Sequence, residues 1–246
     1  MAFSMNMKEA RYFYVPDART ASELPPEEAT HALRVLRLKP GDEMFLMDGV
    51  GGIYRANVTM TDKHCWYEIV EEWQKDKDWS SYIHLAIAPT KMMERMEWLA
   101  EKATEIGFDE MSFLNCKFSE RKTLRVDRVE KIVVSAMKQS RKPQKPVVNG
   151  LCAFDDFIKS HAEGHRYIAH CYDEVERKDF FDELSALTDD EPVTVLVGPE
   201  GDFSIDEVRR AIDAGYVSIS LGRSRLRTET AGLSAVMMAR LVKRIE

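Results

Sequence analysis

The chain predicts an α/β protein in which a small β-barrel domain precedes a larger domain built on an open parallel sheet. Three observations carry that prediction. Short alternating strands separated by glycine turns run from Glu43 to Glu72, the spacing of a small barrel. Beyond residue 80, strand-like and helix-like segments alternate, the signature of a parallel sheet covered on both faces. Between Val193 and Gly232 two apolar strands each end in a glycine turn, and such strand ends are where an open parallel sheet holds a ligand.

Arg11-Tyr12-Phe13-Tyr14-Val15 reads as a first strand, and Pro25-Pro26-Glu27-Glu28 opens a short helix holding His31, Arg34 and Arg37. Lys39-Pro40-Gly41-Asp42 is a turn. Glu43–Met47, Ile53–Met60 and Cys65–Glu72 then alternate as strands. Gly49 to Gly52 sits between two of these strands with no strand-to-helix context, so it is a hairpin rather than a dinucleotide fingerprint. This organisation places a barrel domain at residues 1–73, a polar linker at 74–79 and the sheet domain at 80–246. In the sheet domain Tyr82–Ala88 is a strand. Met92, Met96, Leu99, Ala103 and Ile106 recur on one helical face that Gly107 closes. Met111–Asn115 is the next strand. A basic loop leads into a helix from Val126 to Arg141, with Val129, Ile132, Val133, Ala136 and Met137 inward, and Pro143 and Pro146 bar its continuation. Phe154–Ser160 is helical, Arg166–Ala169 a strand and Phe180–Leu187 a helix.

The last stretch is the most informative. Val193–Val197 is apolar and β-branched, as in a strand buried on both faces, and it ends in Gly198-Pro199-Glu200-Gly201. Ser204 and Glu207 have capping-box spacing for a helix bearing Ile205, Val208, Ala211 and Ile212 on one face, which stops at Gly215. Val217–Ser220 ends in Leu221-Gly222, and a final helix starts near Thr228. Ordinary turns would account for the glycines. They do not account for Arg223, Arg225 and Arg227 crowding the second turn.

The net charge of −7 disguises a strong asymmetry. Lys117–Lys145 carries ten bases against three acids, and Leu221–Arg244 six against one. Asp173–Glu191 holds nine acids against two bases. A basic face on an acidic body is an electrostatic footprint for phosphates, although a solvated amphipathic helix gives the same counts. Cys65, Cys116, Cys152 and Cys171 are scattered without C-x-x-C spacing, which points to free thiols and no metal. No apolar run reaches the roughly 18 residues of a membrane span, and Met1–Tyr12 lacks the apolar core of a signal peptide, so the expected place is the cytoplasm. The phosphate-loop pattern G-x-x-x-x-G-K-[ST] is absent.

Gly198-Pro199-Glu200-Gly201-Asp202-Phe203-Ser204, taken with Leu221-Gly222 and Leu226-Arg227-Thr228-Glu229-Thr230-Ala231, resembles the paired C-terminal motifs of the SPOUT superfamily. It is most similar to the bacterial ribosomal RNA small subunit methyltransferase E family. Arg11-Tyr12-Phe13, His31 with Leu36-Arg37-Leu38, Gly41-Asp42, and Lys91, Glu97, Lys102 and Glu105 extend the resemblance across nearly the whole chain. The resemblance implies a trefoil-knotted α/β domain that binds S-adenosylmethionine, a PUA-like N-terminal barrel, a homodimer, and methylation of uridine N3 in 16S rRNA of the small ribosomal subunit. One residue departs from the pattern: the family commonly has Gly where this chain has Asp202, so the loop must accommodate a Cβ and a carboxylate.

On this reading the cofactor contacts are Leu196, Gly198, Pro199, Glu200 and Gly201 from the first turn, with Ser220, Leu221, Gly222, Leu226 and Arg227 from the second. Uracil N3 bears a proton, so a base must remove it or the anion must be stabilised. Glu200 and Glu229 are the candidate bases, unranked, and either can equally serve a helix N-terminus. Arg227, with Arg121 or Arg223, is the candidate anion stabiliser. Arg34, Arg37, Lys91, Arg121, Lys122, Arg141, Arg223 and Arg225 are the candidate RNA contacts. Two other readings stay open: a ribose 2′-O-methyltransferase acting on ribosomal or transfer RNA, and a non-catalytic RNA-binding assembly factor.

Overall fold

The computed structural model describes residues 11–160, 163–188 and 190–245. Most of the segment read as lacking a signal peptide, residues 1–10, lies outside them. The chain divides into two compact units: residues up to Lys77 together with Met137–Lys145, and Asp78–Ala136 together with residues from Pro146 onward.

In the first unit β1 (Tyr12–Tyr14) pairs in parallel with β2 (Glu43–Met47), and β3 (Gly52–Thr61) and β4 (Cys65–Gln74) follow antiparallel. Register shifts at Arg55/Ala56 and Val58/Met60 put bulges in the β3–β4 ladder, which increase its twist. Glu23 bridges Trp66, so the outer edge of β4 is covered at its first residues. Phe13, Leu24, Met44, Leu46, Tyr54, Val58 and Tyr67 fill one core beneath the sheet. The Gly49–Gly52 turn is the expected hairpin connection: Asp48 Oδ1 accepts from the N–H groups of Val50 and Gly52. The short helix α1 (Pro26–Thr30) runs on into a π turn at His31–Val35, and Arg37 lies beyond it with φ 54°.

The second unit carries β5 (Ile83–Ile87), α2 (Met93–Ile106), β6 (Glu110–Asn115), α3 (Val126–Ser140) as far as Ala136, β7 (Val147–Ala153), α4 (Phe154–Ser160) and β8 (His165–Ala169). It continues through β9 (Lys178–Asp179), α5 (Phe180–Ser185), β10 (Val193–Val197), α6 (Ile205–Asp213), β11 (Val217–Ser220) and α7 (Thr228–Val242). Its sheet has the order β7-β6-β5-β10-β8-β11-β9, with every neighbouring pair parallel. Successive residues of β5 and β10 enter different cores, as the two-residue period of a strand requires. Leu85 and Val195 pack with α2, α3, α5 and α7, whereas Ala86 and Leu196 pack with α4 and α6. Gly232 lets α7 lie close on the sheet, because a Cβ there would meet Ile87 Cδ1 at 2.8 Å.

Two strands escaped the periodicity. β7 follows directly on Pro146, has an irregular burial pattern and contains Asn149-Gly150, a turn signal that here sits inside a strand. β9 is two residues long. Met92 and Ile212, expected on inward faces, are 52% and 38% exposed: Met92 is the extended N-cap residue ahead of α2, and Ile212 lies in the last turn of α6. Gln74 ends β4, and Trp79 is buried against Arg240 with its Nε1 donating to Asp109 Oδ2, so neither is free spacer. The capping box of α6 forms as expected, Ser204 N–H donating to Glu207 Oε2 at 2.8 Å.

Candidate active site

Parallel register sets the carboxyl ends of three strands at one level. Val197, the last residue of β10, is opposite Ile87 of β5 on one side and Ala169 of β8 on the other, and β11 lies beyond β8. Over these ends lies a cavity of about 380 Å³. Its wall is formed by residues after β8 (His170, Cys171), after β10 (Gly198, Pro199, Glu200) and at the end of β11 (Ser220, Leu221, Gly222), closed by Ser224–Thr228 on the way into α7. Val197, Ile219, Leu221, Leu226 and Ala231 supply apolar surface, and Arg95, Arg177, Arg225 and Arg227 supply positive charge.

Backbone geometry explains the glycines. A Cβ on Gly198 would lie 2.8 Å from the Phe203 nitrogen, so the turn closes only with Gly. Gly222 has φ 113° and open space where a Cβ would point. Asp202 has φ 67°, a conformation that normally selects glycine. Its side chain compensates: Oδ1 accepts from its neighbour Phe203 N–H at 2.7 Å, and Oδ2 from Cys171 N–H at 2.8 Å. The carboxylate thereby ties the loop after β10 to the end of β8.

His170 is buried in the cavity wall between Ser218 and the Tyr172 amide. Tyr172 N–H donates to Nδ1, which leaves the proton on Nε2, 2.6 Å from Ser218 Oγ. Burial, first of all, pushes its pKa below the ordinary 6.5; Arg177 adds to that shift and Asp202 opposes it. The imidazole is therefore a neutral strut. Arg177 is likewise committed, donating to the His170 carbonyl at 3.0 Å and to Asp173 Oδ1 at 2.9 Å.

The two glutamates separate clearly. Glu200 lines the cavity; its Oε1 accepts from Lys91 N–H at 2.9 Å, and Oε2 has no partner among the described residues. Glu229 is 8% exposed in the first turn of α7 and does not line the cavity. Its Oε1 lies 3.6 Å from Arg95 Nε, and Oε2 accepts no hydrogen bond. Arg95 thus reaches the cavity backed by a buried carboxylate. Arg227, at the N-cap of α7, lines the cavity, and its guanidinium, like that of Arg225, has neither an ion pair nor a hydrogen bond among the described residues.

Several expected contacts lie elsewhere. Leu196 points into the opposite core with Ile168 and Phe203, because one residue along a strand reverses the face. Gly201 does not line the cavity; it gives room to Phe118, whose Cβ would be 3.5 Å from a Cβ there. Arg121 donates to the carbonyls of Thr90 at 3.0 Å and Lys91 at 2.5 Å, holding the loop after β5 instead of facing the cavity. Of the expected RNA contacts, Arg225 is a cavity residue and Arg223 is exposed on the same loop. Lys91 is paired with Glu120 at 3.0 Å, and Lys122 Nζ donates to Asn115 Oδ1 at 2.9 Å. In the first unit Arg34 and Arg37 are exposed, and Arg141, with φ 56°, sits 5.6 Å from the Tyr12 ring. Sequence reasoning missed Arg95, His170, Cys171 and Arg177. The strand ending at Ala169 was legible, but nothing local signals that it lies beside β10.

An open parallel sheet with a ligand-sized cavity at its carboxyl ends, rimmed by arginines, is the architecture of an α/β enzyme that binds a small molecule at its strand ends. A sequence model of the RNA methyltransferase domain matches residues 77–240, and one of the RNA methyltransferase PUA domain matches residues 24–69. Ribosomal RNA small subunit methyltransferase E of Aquifex aeolicus is 31% identical over 91% of this chain and 96% of its own. The Rickettsia conorii protein of that name is 26% identical over 89% of each chain. A structure from Porphyromonas gingivalis, named a probable rRNA-methyltransferase, superposes with TM-score 0.87 at 40% identity, covering 95% of this chain and 98% of that one. A Legionella pneumophila protein solved in complex with the cofactor SAM superposes with TM-score 0.84 at 26% identity, with the same coverage. The chain belongs to the ribosomal RNA small subunit methyltransferase E family of RNA methyltransferases.

Proposed function

We propose that this protein methylates N3 of a uridine in 16S rRNA, on free rRNA or the small ribosomal subunit, with S-adenosylmethionine as methyl donor, in the cytoplasm. The observation that carries the proposal is the cavity built from three strand ends. Its volume of about 380 Å³ lies within the range of small-molecule sites. The SAM-bound Legionella pneumophila structure supports the choice of ligand.

The residues fit that donor. Val197, Ile219, Leu221 and Leu226 offer an apolar slot for adenine, and the main chain of Ser220–Gly222 offers hydrogen-bonding groups. When bound, the donor supplies an electrophilic methyl on a sulfonium. The work left to the chain is positioning, for which effective molarity accounts for about 7–11 kcal/mol, and management of the N3 proton. Glu200 has a free carboxylate oxygen on the cavity and is the better-placed base; Glu229 is occupied in holding Arg95. Arg227, with Arg225 and Arg95, stabilises the uracil anion as its charge spreads to O2 and O4. Because N3 is engaged in a paired base, the target uridine must be unpaired or turned out.

The working unit on this reading is a homodimer. The packed helices α2 and α7 leave Trp98, Met237 and Leu241 exposed, an apolar set that a second copy would cover. The test is transfer of labelled methyl to small subunits from cells lacking the protein, followed by nucleoside analysis. Labelled 3-methyluridine is expected; a 2′-O-methylated nucleoside, or RNA binding without transfer, overturns the proposal.

A further inference from the structure

Phe118 is a large aromatic side chain 46% exposed on the loop after β6, and the loop that carries it is tightly fixed. Ser119 N–H donates to the Cys116 carbonyl at 3.1 Å, and Cys116 N–H to Ser119 Oγ at 2.9 Å. Lys117 N–H donates to Glu207 Oε1 at 2.7 Å, while Oε2 of the same carboxylate completes the capping box of α6. The main chain on either side of the ring is therefore held in place. Its stem rests on Gly201, between Glu200 and Asp202 of the cavity wall. Lys117 Nζ stands 5.6 Å from the ring centroid, and Lys122 is exposed on the same loop.

We infer that Phe118 is a stacking platform for an unpaired nucleobase of the RNA substrate, one that neighbours the base entering the cavity. An exposed ring on an anchored loop, bordered by cations, is the arrangement by which single-stranded nucleic acid is held without base-specific hydrogen bonds. Lys117 and Lys122 supply the charge complementary to the adjoining phosphates. Gly201 acquires a role here: it brings the platform against the cavity wall. The inference rests on the RNA-methylating reading of the cavity.

The test is equilibrium binding of small ribosomal subunits from cells lacking the protein, for wild type and for Phe118→Ala, Phe118→Leu, Phe118→Tyr and Phe118→Trp. Calorimetry with S-adenosylmethionine and thermal melting accompany each variant. Stacking predicts about ten-fold weaker subunit binding for Ala and Leu, values within about two-fold of wild type for Tyr and Trp, and unchanged cofactor affinity and melting throughout. Ultraviolet cross-linking of wild type should attach a nucleotide at residue 118. An unaltered Ala variant, a Leu variant as tight as wild type, or a cross-link to a ribosomal protein each overturns the inference. Wild type that fails to bind subunits overturns the proposed function with it.

Discussion

Asp202 offers the sharpest perturbation, because its side chain and its backbone act in opposite directions. Replacing it by Gly removes two hydrogen bonds from main-chain N–H groups to a carboxylate, at 2.7 and 2.8 Å. Each such bond is worth about 1.5 kcal/mol at the low end of the charged range, suited to a half-buried site. The same change relieves a φ of 67°, which costs a non-glycine residue about 1 kcal/mol. Asp202→Gly should therefore lower stability by about 2 kcal/mol. Asp202→Ala loses the same bonds and keeps the strained backbone, so it should lose about 3 kcal/mol. Because Asp202 also joins the loop after β10 to the end of β8, both variants should bind S-adenosylmethionine about ten-fold more weakly. Urea unfolding and titration calorimetry measure the two quantities. An Ala variant as stable as the Gly variant, or cofactor affinity unchanged in both, would refute the reasoning.

Arg227→Ala should reduce methyl transfer about 10²–10³-fold with cofactor affinity within a few-fold of wild type, as single-turnover assays with saturating donor would read; a full rate removes Arg227 from the chemistry. Glu200→Gln should slow transfer about 10²–10⁴-fold, and an identical defect confined to Glu229→Gln would move the base to α7. Gly198→Ala places a Cβ 2.8 Å from the Phe203 nitrogen, so it should cost about 1–3 kcal/mol and eliminate cofactor binding in calorimetry; normal binding would show that the turn yields easily. The depressed pKa of His170 means the unfolded chain binds its proton more readily than the folded one. Its contribution to stability is complete above pH 6.5 and lost as pH falls through the lower folded value, so His170→Gln should flatten the stability profile in that window. Equal slopes for the two proteins would count against the buried strut.

The ends of the chain's elements were legible wherever local chemistry sets them. Ser204 and Glu207 announced their capping box, Gly107 its helix C-cap, and Val193–Val197 its burial on both faces. The two glycine turns after β10 and β11 were therefore recognisable as cavity walls, and most of their residues do line it. What stayed hidden depends on contacts distant in sequence. β8 could be read as a strand, yet its place between β10 and β11 comes from sheet order, so His170 and Cys171 carried no signal. Arg95 carries no local signal either, because the carboxylate behind it, Glu229, lies 134 positions later. Leu196 was misplaced by a single residue of strand register. Asp202 stood out as a departure from a glycine pattern, but only the neighbouring Cys171 amide explains how the chain tolerates it. A trefoil threading leaves no trace in hydrophobic periodicity, and that expectation rested on the resemblance alone.

The most direct measurement is an experimental structure of the protein crystallised with S-adenosylmethionine. The nucleoside should lie over the turns at Gly198 and Gly222, adenine against Leu221 and Leu226, with the sulfonium methyl open toward Arg227 and Glu200. Ligand bound at another place, or a cleft between those turns that stays filled by side chains at saturating donor, contradicts the account.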